Sequence, residues 1–384
     1  MLNYIRRKGP LSRTDISKET GINIVSVSNY VTNYIKKGLV LEWGLDTSSG
    51  GRRPELIKLN LENAYVAGID VGPENLVAVI ADLGLKLKAK VVLPRPKGSM
   101  EEVLGGTVVA LEKLFKEFKA PPSSIKVIGM GVSGIVDIYS GTIHDTDPAR
   151  GRTRSNFYTL AHLVEEKFKI PTLIANDATC AAFGEVNLSP KTDISEMLYI
   201  YSDVGCGIII NGDIYCGTSG SAGEIQLLLN EKKIVTPEVH VAPYGIRGVD
   251  LSIAEKARAL ADKKEGGLIL ELAGNKKEQI TMEIVFAAAE KQDKAAREIL
   301  IDAAHWLGIK VAYLVNVFNP QVVAIGGGME KAGSAFMEAL TDCVKVYAYE
   351  ESFNAAQIMP SFLGKDAVSL GAASLGVREL FINA

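Results

Sequence analysis

Between Asn23 and Lys36 the chain places Val25, Ser26, Asn29, Asn33 and Lys36 opposite a repeat of Ile24, Val27, Val31, Tyr34 and Ile35 at spacings of three and four. Apolar residues at that interval bury one stripe of a helix, so the first set faces outward. Hydroxyls, amides and a cation on such a face can donate to base edges inside a major groove. Further on, Ser48-Ser49-Gly50-Gly51-Arg52-Arg53-Pro54 carries two guanidinium groups on a backbone that glycine lets approach closely. Two arginines there suit phosphates or a narrow minor groove. A small helical protein-interaction domain with a basic loop is the plainer alternative.

The elements needed to hold those groups are legible around them. Met1 to Lys8 can form a short helix ended by Gly9 and Pro10, and Ser12 is a good N-cap for a second that runs through Glu19. Thr20-Gly21-Ile22 supplies the tight turn, and Asn23 caps the third helix. Leu39 to Trp43 is strand-like, and Ile57 to Leu59 can return beside it as a wing. Charge is segregated in the same way. Residues 1–60 contain ten Lys/Arg and five Asp/Glu, a balance of +5, and totals of 42 and 45 then leave 32 bases and 40 acids, or −8, for the rest. A basic head on an acidic body directs a polyanion to one end only.

The body changes pattern at Tyr65. Val66 to Val71, Leu76 to Ala81 and Leu87 to Val92 read as strands, Glu101 to Phe118 as an amphipathic helix, then Lys126 to Val132 and Thr172 to Ala175 as strands before a small-residue helix, Ala178 to Gly184. A second series opens with Met197 to Tyr201, Gly207 to Asn211 and Ile214 to Cys216, passes through helices from Val249 to Phe318, and reaches a strand at Val322 to Ile325. Strands alternating with helices in two successions predict an α/β fold of two lobes. With 384 residues, 47% of them hydrophobic and 23% charged, the chain can bury a large core, which excludes wholesale disorder. No apolar run is long enough to span a membrane, and the basic start carries no apolar export signal, so the expected location is the cytoplasm. Cys180, Cys206, Cys216 and Cys343 form no CxxC pair, which argues against a disulfide framework or a structural zinc site.

In this order the motifs resemble the ROK family of sugar kinases and sugar-responsive repressors, built on the actin-like ATPase (ribonuclease H-like) fold. The resemblance rests on Gly51-Arg52-Arg53-Pro54, Gly68-Ile69-Asp70-Val71-Gly72, Gly131-Val132-Ser133-Gly134-Ile135-Val136-Asp137, Asn176-Asp177-Ala178, Gly205-Cys206-Gly207 with Asn211-Gly212, Ala222-Gly223-Glu224-Ile225 and Gly326-Gly327-Gly328. It implies a winged helix-turn-helix over residues 1–62, a first lobe over 63–186 completed by a C-terminal helix near 366–384, and a second lobe with dimerisation helices over 187–365. It also implies that Ser133, Asn156, Asn176, Asp177 and Glu224 bind sugar, with Asp177 the base if the chain is a kinase. Amides and carboxylates match vicinal hydroxyls in any sugar site, so these residues fit kinase and receptor alike. Asn176 also reads as a plain helix N-cap.

The departures from the family pattern discriminate better. The family's first phosphate loop follows its glycine with Thr, whereas Pro73 and Glu74 follow Gly72 here; the second opens Gly-x-Gly, where Tyr201, Ser202 and Asp203 stand. Glu74 and Asp203 therefore mark degraded phosphate loops. A carboxylate beside a triphosphate in a desolvated cleft repels it by on the order of 4 kcal/mol. The family's Glu-x-Gly-His is replaced by Glu224-Ile225-Gln226-Leu227, and residues 228–250 hold no cysteine and only His240, so no zinc is expected. His144, Asp145, Asp147 and Arg150 read equally as cleft or solvated loop, and His305-Trp306 as core or dimer face. The resulting expectation is a sugar-responsive DNA-binding transcriptional regulator of the xylose- and N-acetylglucosamine-repressor type. It binds a double-stranded operator with Ser26, Asn29, Asn33, Lys36, Arg52 and Arg53, and it answers a monosaccharide as a homodimer or dimer of dimers without a cofactor. The alternative is an ATP- and Mg-dependent kinase of the glucokinase or N-acetylglucosamine kinase type.

Overall fold

The computed structural model describes residues 1–45, 54–62, 64–97, 99–118, 121–136, 143–144, 154–155, 158–189, 194–202, 205–225, 251–262 and 266–384. The head opens with α1 (Leu2–Lys8), β1 (Leu11–Ser12), α2 (Arg13–Thr20) and α3 (Ile24–Lys36), followed by β2 (Val40–Leu45) and β3 (Glu55–Leu59). Ser12 caps α2 in a reciprocal box with Asp15, and Asn23 caps α3 by accepting from the N–H of Val25 at 2.8 Å. Gly21 takes φ 67° between the two helices, which a side chain would resist. β2 and β3 pair antiparallel, and β1 adds a third strand to the wing beside β3 that sequence reading did not foresee. Arg13 at the start of α2 bonds Glu42 at 3.1 Å and Glu55 at 3.0 Å, tying both wing strands to the helices.

The body continues with β4 (Tyr65–Val71), β5 (Asn75–Asp82), β6 (Leu87–Pro94), α4 (Met100–Phe118) and β7 (Ile125–Val132). Three short strands follow, β8 (Ile135–Val136), β9 (Ile143–His144) and β10 (Arg154–Ser155), then α5 (Tyr158–Phe168), β11 (Thr172–Asn176) and α6 (Asp177–Leu188). The second series is β12 (Met197–Tyr201), β13 (Gly205–Ile210), β14 (Asp213–Ile214), α7 (Ile253–Asp262), α8 (Gly267–Leu272), α9 (Met282–Glu290) and α10 (Lys294–Phe318). It ends with β15 (Val322–Gly326), α11 (Ser334–Tyr347), α12 (Glu350–Ala355), β16 (Gln357–Pro360) and α13 (Ala367–Ile382).

Packing divides these elements into two compact units, Met1–Thr142 with Asn156–Thr192 and Val368–Ala384, and Ile143–Ser155 with Asp193–Ala367. The head and the last helix both belong to the first. Each unit is built on one five-stranded sheet, in the order β11-β7-β4-β5-β6 in the first and β14-β13-β12-β15-β16 in the second. The two are wired alike: a three-strand antiparallel meander whose first strand is extended by two parallel strands. Strands of the parallel part are apolar along nearly their whole length because helices cover both faces, as in β4, β7 and β15.

α13 completes the first unit from the far end of the chain. Its main chain lies so close to the sheet that a Cβ at Gly129 would sit 1.9 Å from the oxygen of Ala372, and one at Gly371 would sit 1.7 Å from that of Cys180 in α6. Only glycine permits that approach. In the second unit a core of Leu198, Ile200, Val323, Ile325, Leu307, Val311 and Phe336 joins the sheet to α10 and α11.

Candidate functional site

β7 and β11 run parallel in the first unit, pairing Val132 with Asn176, so Ser133 and Asp177 leave the same sheet edge side by side. Ser133 Oγ donates to Asp177 Oδ2 at 2.9 Å, and the N–H of Ala178 donates to Oδ1 at 2.7 Å. Asn176 accepts from the N–H of Thr179 at 3.2 Å as the α6 N-cap, while its amide donates to the carbonyl of Gly134 at 2.9 Å. Capping and site chemistry thus share one residue, and the side chain cannot swing away. Burial holds the Asp177 carboxyl up at about 6, against the bonds from Ser133 and from the Ala178 N–H, which favour the anion.

Sequence reasoning left Asp70 inside a motif without a role. It is the next-to-last residue of β4, is 8% exposed, and its Oδ1 has no hydrogen-bond partner among the described residues. Burial first and the charge of Asp177 second push its carboxyl up to about 8, with Arg95 pulling the other way. An acid inside the otherwise apolar run Tyr65–Val71 is the signal that could have singled it out. Asp70, Ser133, Asn176 and Asp177 form a polar cluster at one end of the first sheet, able to accept from and donate to a polyhydroxylated ligand.

The first phosphate loop has closed on itself. The N–H of Gly72 donates to the carbonyl of Asn75 at 3.1 Å, Pro73 has no N–H, and Arg95 Nη1 donates to the carbonyl of Gly72 at 3.0 Å. A phosphate cradle needs main-chain N–H groups pointing outward, and two are missing here. Glu74 is exposed rather than desolvated, so its repulsion of an anion is nearer ~1 kcal/mol than ~4. Donor loss, more than charge, is therefore what the turn offers against a nucleotide. In the second unit Ser202 N–H donates to Gly326 at 3.3 Å and its Oγ to Gly327 at 2.8 Å, so that loop is bonded to the glycine turn after β15. Among the described residues the N–H groups of Gly72 and Ser202 are taken and Pro73 has none, a donor set that does not fit a triphosphate with its Mg.

Glu224 lies exposed in the second unit, after a Gly223 whose carbonyl accepts from the N–H of Cys206 at 2.7 Å. Asn156, Arg52, Arg53 and Asp203, together with Asp145, Asp147, Arg150 and residues 226–250, lie outside the described residues.

On α3, Asn29, Asn33 and Lys36 are exposed and Ser26 is half-buried, while Val27 and Val31 are fully buried. Two details differ from expectation. Ile24, assigned above to the buried stripe, is 43% exposed at the first position of α3. Asn33 donates to the main-chain oxygen of Ala384 at 3.2 Å, so it faces α13 as well as solvent. Tyr30 joins the outward face unforeseen, half-exposed and stacked on Tyr34 at 6.3 Å. With Val25 it gives the free end of α3 an apolar contact surface of the kind that thymine methyls meet.

The ROK family model matches residues 66–379, which leaves the head outside it. The chain is 28% identical over 374 residues to a xylose repressor of Caldicellulosiruptor bescii, covering 96% of this chain and 92% of that one. Among solved structures it is similar to a ROK family transcriptional regulator, homologue of the Escherichia coli MLC protein, with TM-score 0.78 at 22% identity over 98% and 94% of the two chains. A ROK family glucokinase from Streptomyces griseus, solved with glucose and AMPPNP, gives TM-score 0.69 at 22% identity and covers 81% of this chain and 99% of its own. The regulators extend over the head and the kinase spans less of the chain, while all share the two-sheet body. A match from the first strand of that body to its last helix makes this chain a member of the ROK family.

Proposed function

We propose that the chain is a sugar-responsive DNA-binding transcriptional regulator, a repressor of carbohydrate genes, that binds a monosaccharide without phosphorylating it. The observation that carries this reading is the closed turn at Gly72–Asn75, in the same unit as an intact polar cluster at Asp177, together with a Ser202 whose N–H and hydroxyl are both taken. Ser133, Asn176 and Asp177, with Glu224 and Asn156 by family resemblance, bind the sugar hydroxyls. Ser26, Asn29, Tyr30 and Lys36 meet the major groove, and Arg52 and Arg53 the phosphates. Similarity to the xylose repressor supports the regulator class, and xylose and N-acetylglucosamine are the first sugars to try. Function as a homodimer follows from operator geometry, since paired heads read half-sites ~34 Å apart or multiples of it.

Electrophoretic mobility shift on DNA from upstream of its own gene tests the reading. A specific complex that one monosaccharide weakens is the expected result, and Asn29→Ala changes its sequence preference. No specific complex at any sugar concentration sinks it. The rival, an ATP-dependent sugar kinase, draws on Asp177 being held for general-base work by Ser133. Sugar-dependent ADP release that Asp177→Asn abolishes would establish it.

A further inference from the structure

α6 connects the candidate sugar site to the head. Asp177 is its first residue, and ~15 Å along the helix, at 1.5 Å per residue, Asn187 meets α1. There Arg6 Nη2 donates to Asn187 Oδ1 at 2.6 Å and Nη1 to the Asn187 carbonyl at 3.3 Å. The Asn187 amide is itself oriented by donating to the carbonyl of Phe183 at 2.9 Å. Alongside, Arg378 of α13 stands over the Phe183 ring, 5.8 Å from its centroid. The far end of α13 reaches α3, where Lys37 Nζ donates to the carbonyls of Asn383, at 3.4 Å, and of Ala384. Leu380, Phe381 and Ala384 pack against the apolar cluster of the head that contains Leu2, Ile5 and Val31. The head is seated on the helices that frame the site, not merely linked to them.

The seat at Arg6 is an uncommon one. Arg6 is half-buried, and a guanidinium partly withdrawn from water is ordinarily matched by a carboxylate in a forked pair. Among the described residues both hydrogen bonds end on oxygens of one neutral amide residue, and the buried Nε has no partner. Burial, with Arg7 beside it, lowers the group to about 10. Nothing but the placement of α6 holds these bonds, so a small shift of the helix exchanges them for water.

Resting on the regulator reading above, we infer that the Arg6–Asn187 contact is the joint through which occupancy of the N-terminal end of α6 sets the DNA affinity of the head, with Arg6 its positioning residue. A ligand at Asn176 and Asp177 that prefers one placement of α6 selects the matching placement of α1, and with it that of α3. By linkage the coupling is reciprocal, and DNA shifts sugar affinity by the same factor.

The experiment uses the full chain, wild type, Arg6→Met, Asn187→Ala and the double variant. Fluorescence anisotropy on upstream duplex DNA is read with and without D-xylose, D-glucose or N-acetyl-D-glucosamine, and thermal shift reports sugar binding separately. In the wild type, the sugar that raises the melting temperature weakens DNA binding tenfold or more. In both single variants the same sugar gives the same thermal shift but weakens DNA binding less than threefold, and the double variant loses nothing further. Variants that answer the sugar as the wild type does overturn the joint while leaving the regulator reading intact. A wild type that binds DNA but responds to none of the three sugars removes the effector reading, and this inference with it. Should Arg6→Met fail to fold, Asn187→Ala, which leaves the guanidinium in place, decides alone.

Discussion

The proposed sugar site at Asp177 and the proposed phosphate loops stand on similar sheets yet are bonded in opposite ways. At Asp177 every polar group is directed by a neighbour, Ser133, Ala178, Thr179 or Gly134, and remains set for a ligand. At Gly72–Asn75 and at Ser202 the polar groups are directed at the loop itself or at the next turn. Hydroxyl recognition uses side chains fixed by the start of a helix, and phosphate recognition uses main-chain N–H groups in an open turn. A turn can close and lose phosphate while its sheet is unchanged.

The largest effect expected at this contrast is the pH response of Asp70. Its folded pKa of about 8 lies above the ordinary 3.8, so below about pH 4 the group is neutral in both states and contributes nothing. As pH rises from 4 to 8 the unfolded chain releases the proton and the native one keeps it, so stability falls, by about 1.4 kcal/mol per unit at most. Asp70→Asn therefore gains stability relative to wild type as pH climbs, by a few kcal/mol near pH 8, read as a widening difference in melting temperature. A gap between the two proteins that stays constant from pH 4 to 8 refutes the assignment.

Next comes ligand choice. A monosaccharide at a hundred times its Kd stabilises by about 2.7 kcal/mol, visible as a rise in Tm, whereas Mg-ATP leaves Tm unchanged. An equal rise with Mg-ATP would erase the contrast. Asp177→Asn should weaken the sugar about 10- to 100-fold by calorimetry, since a hydrogen bond to a charged group contributes about 1.5–3 kcal/mol. Unaltered affinity moves the sugar elsewhere. The smallest effect is Glu74→Ala, worth ~1 kcal/mol or less at an exposed position. Because the missing donors are main-chain, this variant still shows no Mg-ATP shift; a shift on this change alone would mean that charge, not closure, keeps nucleotide out.

Much of this arrangement was legible in residue order. Ser12 and Asn23 announced their helices because capping is local, and Met197–Tyr201 read as a strand because its apolar run is bounded by polar residues on both sides. Asn176 was readable both as a cap and as a ligand, and it serves as a cap without leaving the polar cluster. The third wing strand was not legible, since the two residues Leu11–Ser12 carry no period of their own and depend on β3 to become a strand. Asp70 was hidden for a related reason: its shift comes from burial and from Asp177, more than a hundred residues away. The exposure of Glu74 likewise corrects a repulsion reckoned from residue type alone.

Amino-acid order by itself settled the basic capped head, the two alternating α/β series and the motifs that make this a ROK protein, because caps, periodicity and charge act over a few residues. Only the folded chain decided that α13 seats in the first sheet, that Asp70 shares an environment with Asp177, that the Gly72 N–H is spent within its own turn and that of Ser202 on Gly326, and that Arg6 rests on the far end of α6. Each of those depends on groups distant in sequence being forced out of water together, and no local pattern records which partner burial will supply.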